Sequence, residues 1–183
     1  MAEANKVLRL NLGCGLNKMV GFVNVDKYGK PDQFWDLDIT PYPWADDSVD
    51  EIVLNHVLEH IGPWWDAFCE CARILKPGGQ LSINVPDASS DSAWTYRDHL
   101  HVFSPLSFHG IQGLTSGTNT WAITEEGTVP LRVMSYHKVP FSPYQWMIRW
   151  APWLLKFCAD HLRNFIWEQR FVFRKIGEWN EDQ

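Results

Sequence analysis

The chain has 183 residues, 45% hydrophobic and 21% charged, enough for one domain with a full core and not the composition of a disordered chain. No apolar run approaches the roughly 18 residues of a membrane span, the N-terminus lacks a secretory h-region, and Cys14, Cys69, Cys71 and Cys158 fit neither a zinc spacing nor a disulfide framework. The net charge of −6 argues against a nucleic-acid binder, and the expectation is a cytoplasmic protein with reduced thiols.

Residues 7–12 are a mostly apolar run followed by Gly13, the pattern of a central strand. Residues 22–26 predict a second strand, 34–39 a weaker third and 49–54 a fourth. Pro63 suits the start of a helix that carries Trp64, Trp65, Phe68, Ala72 and Leu75 at helical spacing, closed by Lys76-Pro77-Gly78-Gly79. Residues 81–85 predict a buried strand, stopped by Pro86-Asp87. Residues 102–114 predict a short helix, and 131–139 and 166–176 the last two strands. This alternation points to a parallel sheet with both faces covered.

Between the last two strands, residues 143–164 predict an aromatic, basic helical insertion within a single domain spanning 1–183. Trp146, Trp150, Trp153, Leu154 and Phe157 fall on one helical face, and Arg149, Lys156, Asp160 and Arg163 on the other. Pro152 should kink or split the helix. The favoured reading packs the aromatic face on the sheet; the alternative lays it on a membrane surface. Residues 131–176 hold eight Lys or Arg against only Asp160 and Glu168, so the rear of the chain is basic although the whole is acidic.

The stretch "NLGCGLNKMVGFVNVD", Asn11 to Asp26, carries the strongest chemistry. A glycine turn after a strand lets a ligand approach the backbone. A phosphate-binding loop needs Gly-Lys-Ser/Thr, but Lys18 is followed by Met19 and preceded by no glycine. A dinucleotide fingerprint needs a third glycine where Lys18 stands and an acid much later than Asp26. S-adenosylmethionine has no phosphate. It needs close backbone approach at Gly13 and Gly15 and an acid, Asp26, at the end of the second strand for its ribose hydroxyls.

Together with "DLDITPYPW", "SVDEIVLNHVLEHI" and "ILKPGGQLSINVPD", that stretch resembles the small class I S-adenosylmethionine-dependent methyltransferases, over residues 7–87 and more loosely to the end. The resemblance implies a Rossmann-like, mostly parallel sheet of about seven strands, the last antiparallel. It implies S-adenosyl-L-methionine as cofactor, held by Asn11, Gly13, Cys14, Gly15, Asp26, Lys27, Asp38, Ile39, Asn55 and His56. Asp38 is expected at the adenine amine and Ile39 beside the ring. It also implies methyl transfer to a small-molecule or glycan-like acceptor, because relatives of this kind are associated with surface-polysaccharide synthesis. The rival readings are a non-catalytic module for S-adenosylmethionine or S-adenosylhomocysteine, and a membrane-peripheral interaction protein. One departure stands out. Residues 16–20 alone separate Gly15 from Gly21, whereas a helical crossover takes about a dozen residues or more. The first crossover helix is therefore expected to be shortened or absent.

Side chains beyond the fourth and fifth strands should face the methyl group. His101, His60 and Asp87 are the candidates for catalysis, His101 foremost. His56, Glu59 and His60 would share one face if helical, placed to hold a divalent ion with His101 as a further ligand. Local packing of Glu59 and His60 is the favoured reading, and no metal ligand is assigned. The same string also matches an inverted zinc-protease signature, rejected because it follows a strand.

Overall fold

The structure, a computed structural model, describes residues 7–108, 129–140, 145–161 and 164–177. In chain order these form β1 (Arg9–Leu12), β2 (Val23–Asp26), β3 (Gln33–Phe34), β4 (Val49–Asn55), α1 (Trp64–Ile74), β5 (Leu75–Pro86), α2 (Ser92–Thr95), β6 (Leu131–Pro140), α3 (Met147–Trp150), α4 (Pro152–His161) and β7 (Ile166–Lys175). Single 3₁₀ turns lie at Leu58–His60 and Pro105–Phe108. The expected helix at 102–114 is only that second turn as far as residue 108, and its remainder lies outside the described residues.

Seven strands make one sheet in the order β3-β2-β1-β4-β5-β7-β6. β3, β2, β1, β4 and β5 pair in parallel, and β7 runs antiparallel to both β5 and β6. The mostly parallel α/β sheet read from the sequence is thus the one that forms.

Registers divide the side chains cleanly between two faces. Leu10, Ile52, Leu81 and Phe173 form one apolar row, and Leu12, Leu54, Ile83 and Phe171 the next, all essentially inaccessible. α1 covers this face. It buries Ala67, Phe68, Cys71 and Ala72, and Phe68 meets Phe108 and Phe173 at 5.5 and 5.4 Å between ring centroids. At roughly 1.5–3 kcal/mol per buried large apolar side chain, this layer is the main source of stability.

The opposite face corrects the expectation of two covered faces. Arg9, Glu51, Gln80 and Arg174 align in one row, and Asn55, Asn84 and Arg170 in another, all half-buried or exposed. They satisfy each other: Arg9 pairs with Glu51 at 3.2 Å, and Asn84 Nδ2 donates to Asn55 Oδ1 at 2.9 Å. The cause is connection length. Neither the β1–β2 nor the β2–β3 connection contains a helix, so nothing from either connection lies over these strands as a helix would.

A polar clasp stands where the first crossover helix would be. Asn11 and Asn24 are opposite one another in β1 and β2, both buried. Asn11 Nδ2 donates to Asn24 Oδ1 (2.9 Å) and to the Asn17 carbonyl (3.0 Å). Asn24 Oδ1 also accepts from Met19 N–H at 2.7 Å, and its Nδ2 donates to Asp32 Oδ2 at 2.6 Å. Lys18 closes on Asp32 at 2.7 Å. The short loop thereby gains the side-chain partners that helical hydrogen bonds would otherwise replace.

The insertion splits as Pro152 predicts, with α3 ending at Ala151 in non-helical geometry and Pro152 starting α4. Its packing differs from the favoured reading. Met147, Leu154, Leu155, Cys158 and Ala159 pack with Phe165 and Ile166. Trp146, Ile148, Trp150, Trp153 and Phe157 are each more than half exposed. The break at Ala151 re-phases the two helices, so the aromatic stripe faces outward. Residues 143–144, 162–163 and Trp179 lie outside the described residues.

Candidate cofactor and active site

The carboxyl ends of β1, β2 and β4 surround a cavity of about 880 Å³. Gly13, Gly15, Asp26, Lys27, Asp38 and His56, six of the ten residues expected at the cofactor, line it. The glycine turn is shaped by its backbone. Gly13 and Gly15 adopt φ of +67° and +50°, where side chains are strained, and a Cβ at Gly13 would stand 2.5 Å from the Val57 methyl carbons. Cys14 N–H donates to the Val25 carbonyl at 3.0 Å, continuing the β1–β2 pairing into the turn.

Asp26 ties the turn to the end of β2. Its Oδ2 accepts from Gly15 N–H at 2.8 Å and its Oδ1 from Tyr28 N–H at 2.9 Å. Each oxygen keeps a second lone pair, so the carboxylate can still accept two hydroxyls. At the far wall, Asp38 accepts from Gly62 N–H at 2.9 Å and from Lys27 Nζ at 2.9 Å, and Lys27 also meets Asp36 at 3.1 Å. Burial pushes the Asp38 carboxyl upward, but Lys27 and the Gly62 amide outweigh it and hold it below the usual carboxylate range. Asp38 and Asp36 in turn raise the Lys27 ammonium.

His56 sits just past β4 at φ +54°. Its Nε2 lies 2.9 Å from Glu168 Oε2 and its Nδ1 3.4 Å from Glu59 Oε1. Glu168 first and Glu59 second raise its pKa to about 9 against the opposing pull of burial, so the ring is an imidazolium at neutral pH. Glu168 is held low by the same His56, with burial opposing and Arg170 assisting. This clamp joins β4 to β7.

Four residues expected at the cofactor lie elsewhere. Asn11 is buried in the crossover clasp. Cys14 turns its thiol inward, where burial raises its pKa. Asn55 belongs to the polar ladder with Asn84. Ile39 is exposed outside the cavity, and Trp35 and Leu37 line it instead.

Of the catalytic candidates, only His60 lines the cavity. His60 Nδ1 lies 2.8 Å from the Asp98 carbonyl, which can only accept, so Nδ1 carries the hydrogen and Nε2 the free lone pair. His101 Nε2 donates to the Gly62 carbonyl at 2.9 Å and pins the loop after α2 to the turn before α1. Asp87 lies in a turn. It is buried, and its Oδ1 accepts from Ser89 N–H (2.8 Å) and Ser89 Oγ (2.6 Å). His56, Glu59 and His60 do not share one α-helical face, because a left-handed residue and a 3₁₀ turn replace the helix.

Residues 16–83 match the family model described as a methyltransferase domain. The match spans a little over a third of the chain. Its fold is shared with the YcgJ protein of Bacillus subtilis (TM-score 0.58, 14% identity, 97% of this chain and 95% of that one). It is shared too with an S-adenosylmethionine-dependent methyltransferase of Mesorhizobium loti (0.50, 14%, 93% and 91%). A third neighbour is phosphoethanolamine N-methyltransferase 2 of Haemonchus contortus, solved with S-adenosyl-L-methionine (0.56, 13%, 96% and 50%). No curated protein sequence matches the chain. The cavity is of a size to enclose a small-molecule cofactor. Among the described residues no helix is long and apolar enough to cross a membrane.

Proposed function

We propose that the chain is a class I S-adenosylmethionine-dependent methyltransferase, transferring a methyl group from S-adenosylmethionine to a small-molecule or glycan-like acceptor. The reading rests on one observation. A glycine turn that excludes side chains, an acid with unused lone pairs and a second acid across the cavity all meet at the carboxyl ends of parallel strands. Gly13 and Gly15 would admit the methionine portion, Asp26 would hold the ribose, and Asp38 the adenine side, with Trp35 and Leu37 beside the ring.

When bound, the cofactor supplies an electrophilic methyl group on a sulfonium. The chain supplies position, the main lever for an in-line displacement. His60 and Asp98 stand on the cavity wall and give it a polar rim suited to a hydroxyl-bearing acceptor such as a sugar. His56, already protonated, braces the wall rather than acting as a base. The test is a radiolabelled methyl-donor assay of the full chain against small hydroxylated acceptors and glycans. Turnover with at least one supports the reading; cofactor binding with no turnover across the panel contradicts it.

A second reading concerns location. The exposed aromatic stripe of α3 and α4, with Arg149 over the Trp150 ring at 5.5 Å, suits the interfacial region of an anionic membrane. An acceptor carried at such a surface would then be met by the enzyme in place.

A further inference from the structure

The turn that follows His56 holds a buried carboxylate that methyl transfer as described does not use. Glu59 is 1% exposed, yet neither carboxylate oxygen accepts a hydrogen bond, and His99 Nδ1 is likewise buried without a partner. The nearest cation, His56 Nδ1, stands 3.4 Å from Glu59, beyond a well-formed hydrogen bond, while its other nitrogen makes the shorter contact with Glu168. A buried carboxylate so placed is costly unless something else meets it.

Glu59, His60 and His99 each offer one ligand atom, and these lie within 4.8 Å of one another. Three points so spaced share a centre no more than about 2.8 Å away (4.8/√3). Closing to metal bonds of about 2.0–2.2 Å takes less than about 1 Å of movement per ligand. The surroundings are arranged for this. His60 donates Nδ1–H to the Asp98 carbonyl, which fixes the tautomer and frees Nε2, the outer-shell hydrogen bond that orients ligating histidines. The Glu59 carbonyl accepts from Leu100 N–H (2.8 Å) and His101 N–H (3.2 Å), so the backbone of one ligand holds the loop that carries another. The His60 and His99 rings meet edge to face at 4.8 Å.

We infer that Glu59, His60 and His99 bind a divalent transition-metal ion, with two imidazoles and one carboxylate selecting zinc or a similar ion over calcium or magnesium. The site lies on the cavity wall through His60, leaving further coordination positions for an oxygen ligand. It stands independently of the acceptor, since its test reads metal and not turnover.

The full chain, stripped with EDTA and dialysed, is titrated with Zn²⁺ by calorimetry and with Co²⁺ by visible absorption. Expected are one ion per chain, a higher Tm with metal, and affinity weakened by about 100-fold or more in Glu59→Gln and in His99→Ala, beyond what losing an outer-shell partner costs. His101→Ala should keep the ion. Tm and circular dichroism in EDTA check that each variant folds; Glu59→Gln preserves shape, and His99→Ala, on a surface loop, decides if Glu59→Gln does not fold. No stoichiometric uptake by the wild type overturns the inference. So does uptake unchanged in both variants, which would place the metal on thiols elsewhere.

Discussion

At Gly13 two constraints coincide: a left-handed backbone and the Val57 methyl groups 2.5 Å from where a Cβ would sit. Gly13→Ala should therefore destabilise by about 2–4 kcal/mol, summing a left-handed penalty and an overpacking cost. In a double-mutant cycle by urea denaturation, Val57→Ala should recover the overpacking share and leave the backbone share. Strict additivity of the two changes would show that the steric contact is not the cause. The same scale explains which site residues could be read from sequence. Gly13, Gly15 and Asp26 are constrained by the turn they build, so their types and spacing reveal them. Asn11 and Asn55 have side chains suited to a cofactor, but their partners across the sheet, Asn24 and Asn84, take them away from it. The ring of His101 is likewise held by a partner distant in sequence, the backbone carbonyl of Gly62.

Among the elements, the β1–β2 connection is the most informative. Five residues between Gly15 and Gly21 made the absence of a helix legible, but nothing in their spacing disclosed the clasp that replaces it. Asp32 is its acidic end. Hydrogen bonds from Lys18 and Asn24 lower its pKa to about 2 from 3.8. A carboxyl depressed in the folded state stabilises above its unfolded pKa and loses that contribution as pH falls through the folded value. The clasp should thus be fully effective above about pH 4 and released toward pH 2, and Asp32→Asn should flatten the acid limb of a stability-against-pH curve across that window. An unchanged limb would remove Asp32 from the account. The strands β4 and β5 show the converse. "QLSINV" alternates with period two, the pattern of a sheet with one wet face. Expecting helices on both faces hid that signal until the short crossovers explained it.

For the whole molecule, one face of the sheet carries the core, the strand ends carry the cavity, and α3–α4 carries an aromatic surface with basic side chains. Its amphipathic pattern was visible in the sequence; its outward direction was not, because the break at Ala151 sets the relative phase of the two helices. Trp150→Ala with Trp153→Ala should abolish flotation with anionic liposomes while leaving Tm within about 1 °C, as both side chains are mostly solvent-exposed. Flotation equal to wild type would confine the stripe to another role. The central claim is that the glycine turn and Asp26 hold S-adenosylmethionine, and isothermal calorimetry tests it most directly. The account predicts one cofactor per chain and binding weakened at least about tenfold in Asp26→Ala, the loss of one or more hydrogen bonds to a charged group. Equal affinity in a folded Asp26→Ala chain would contradict it.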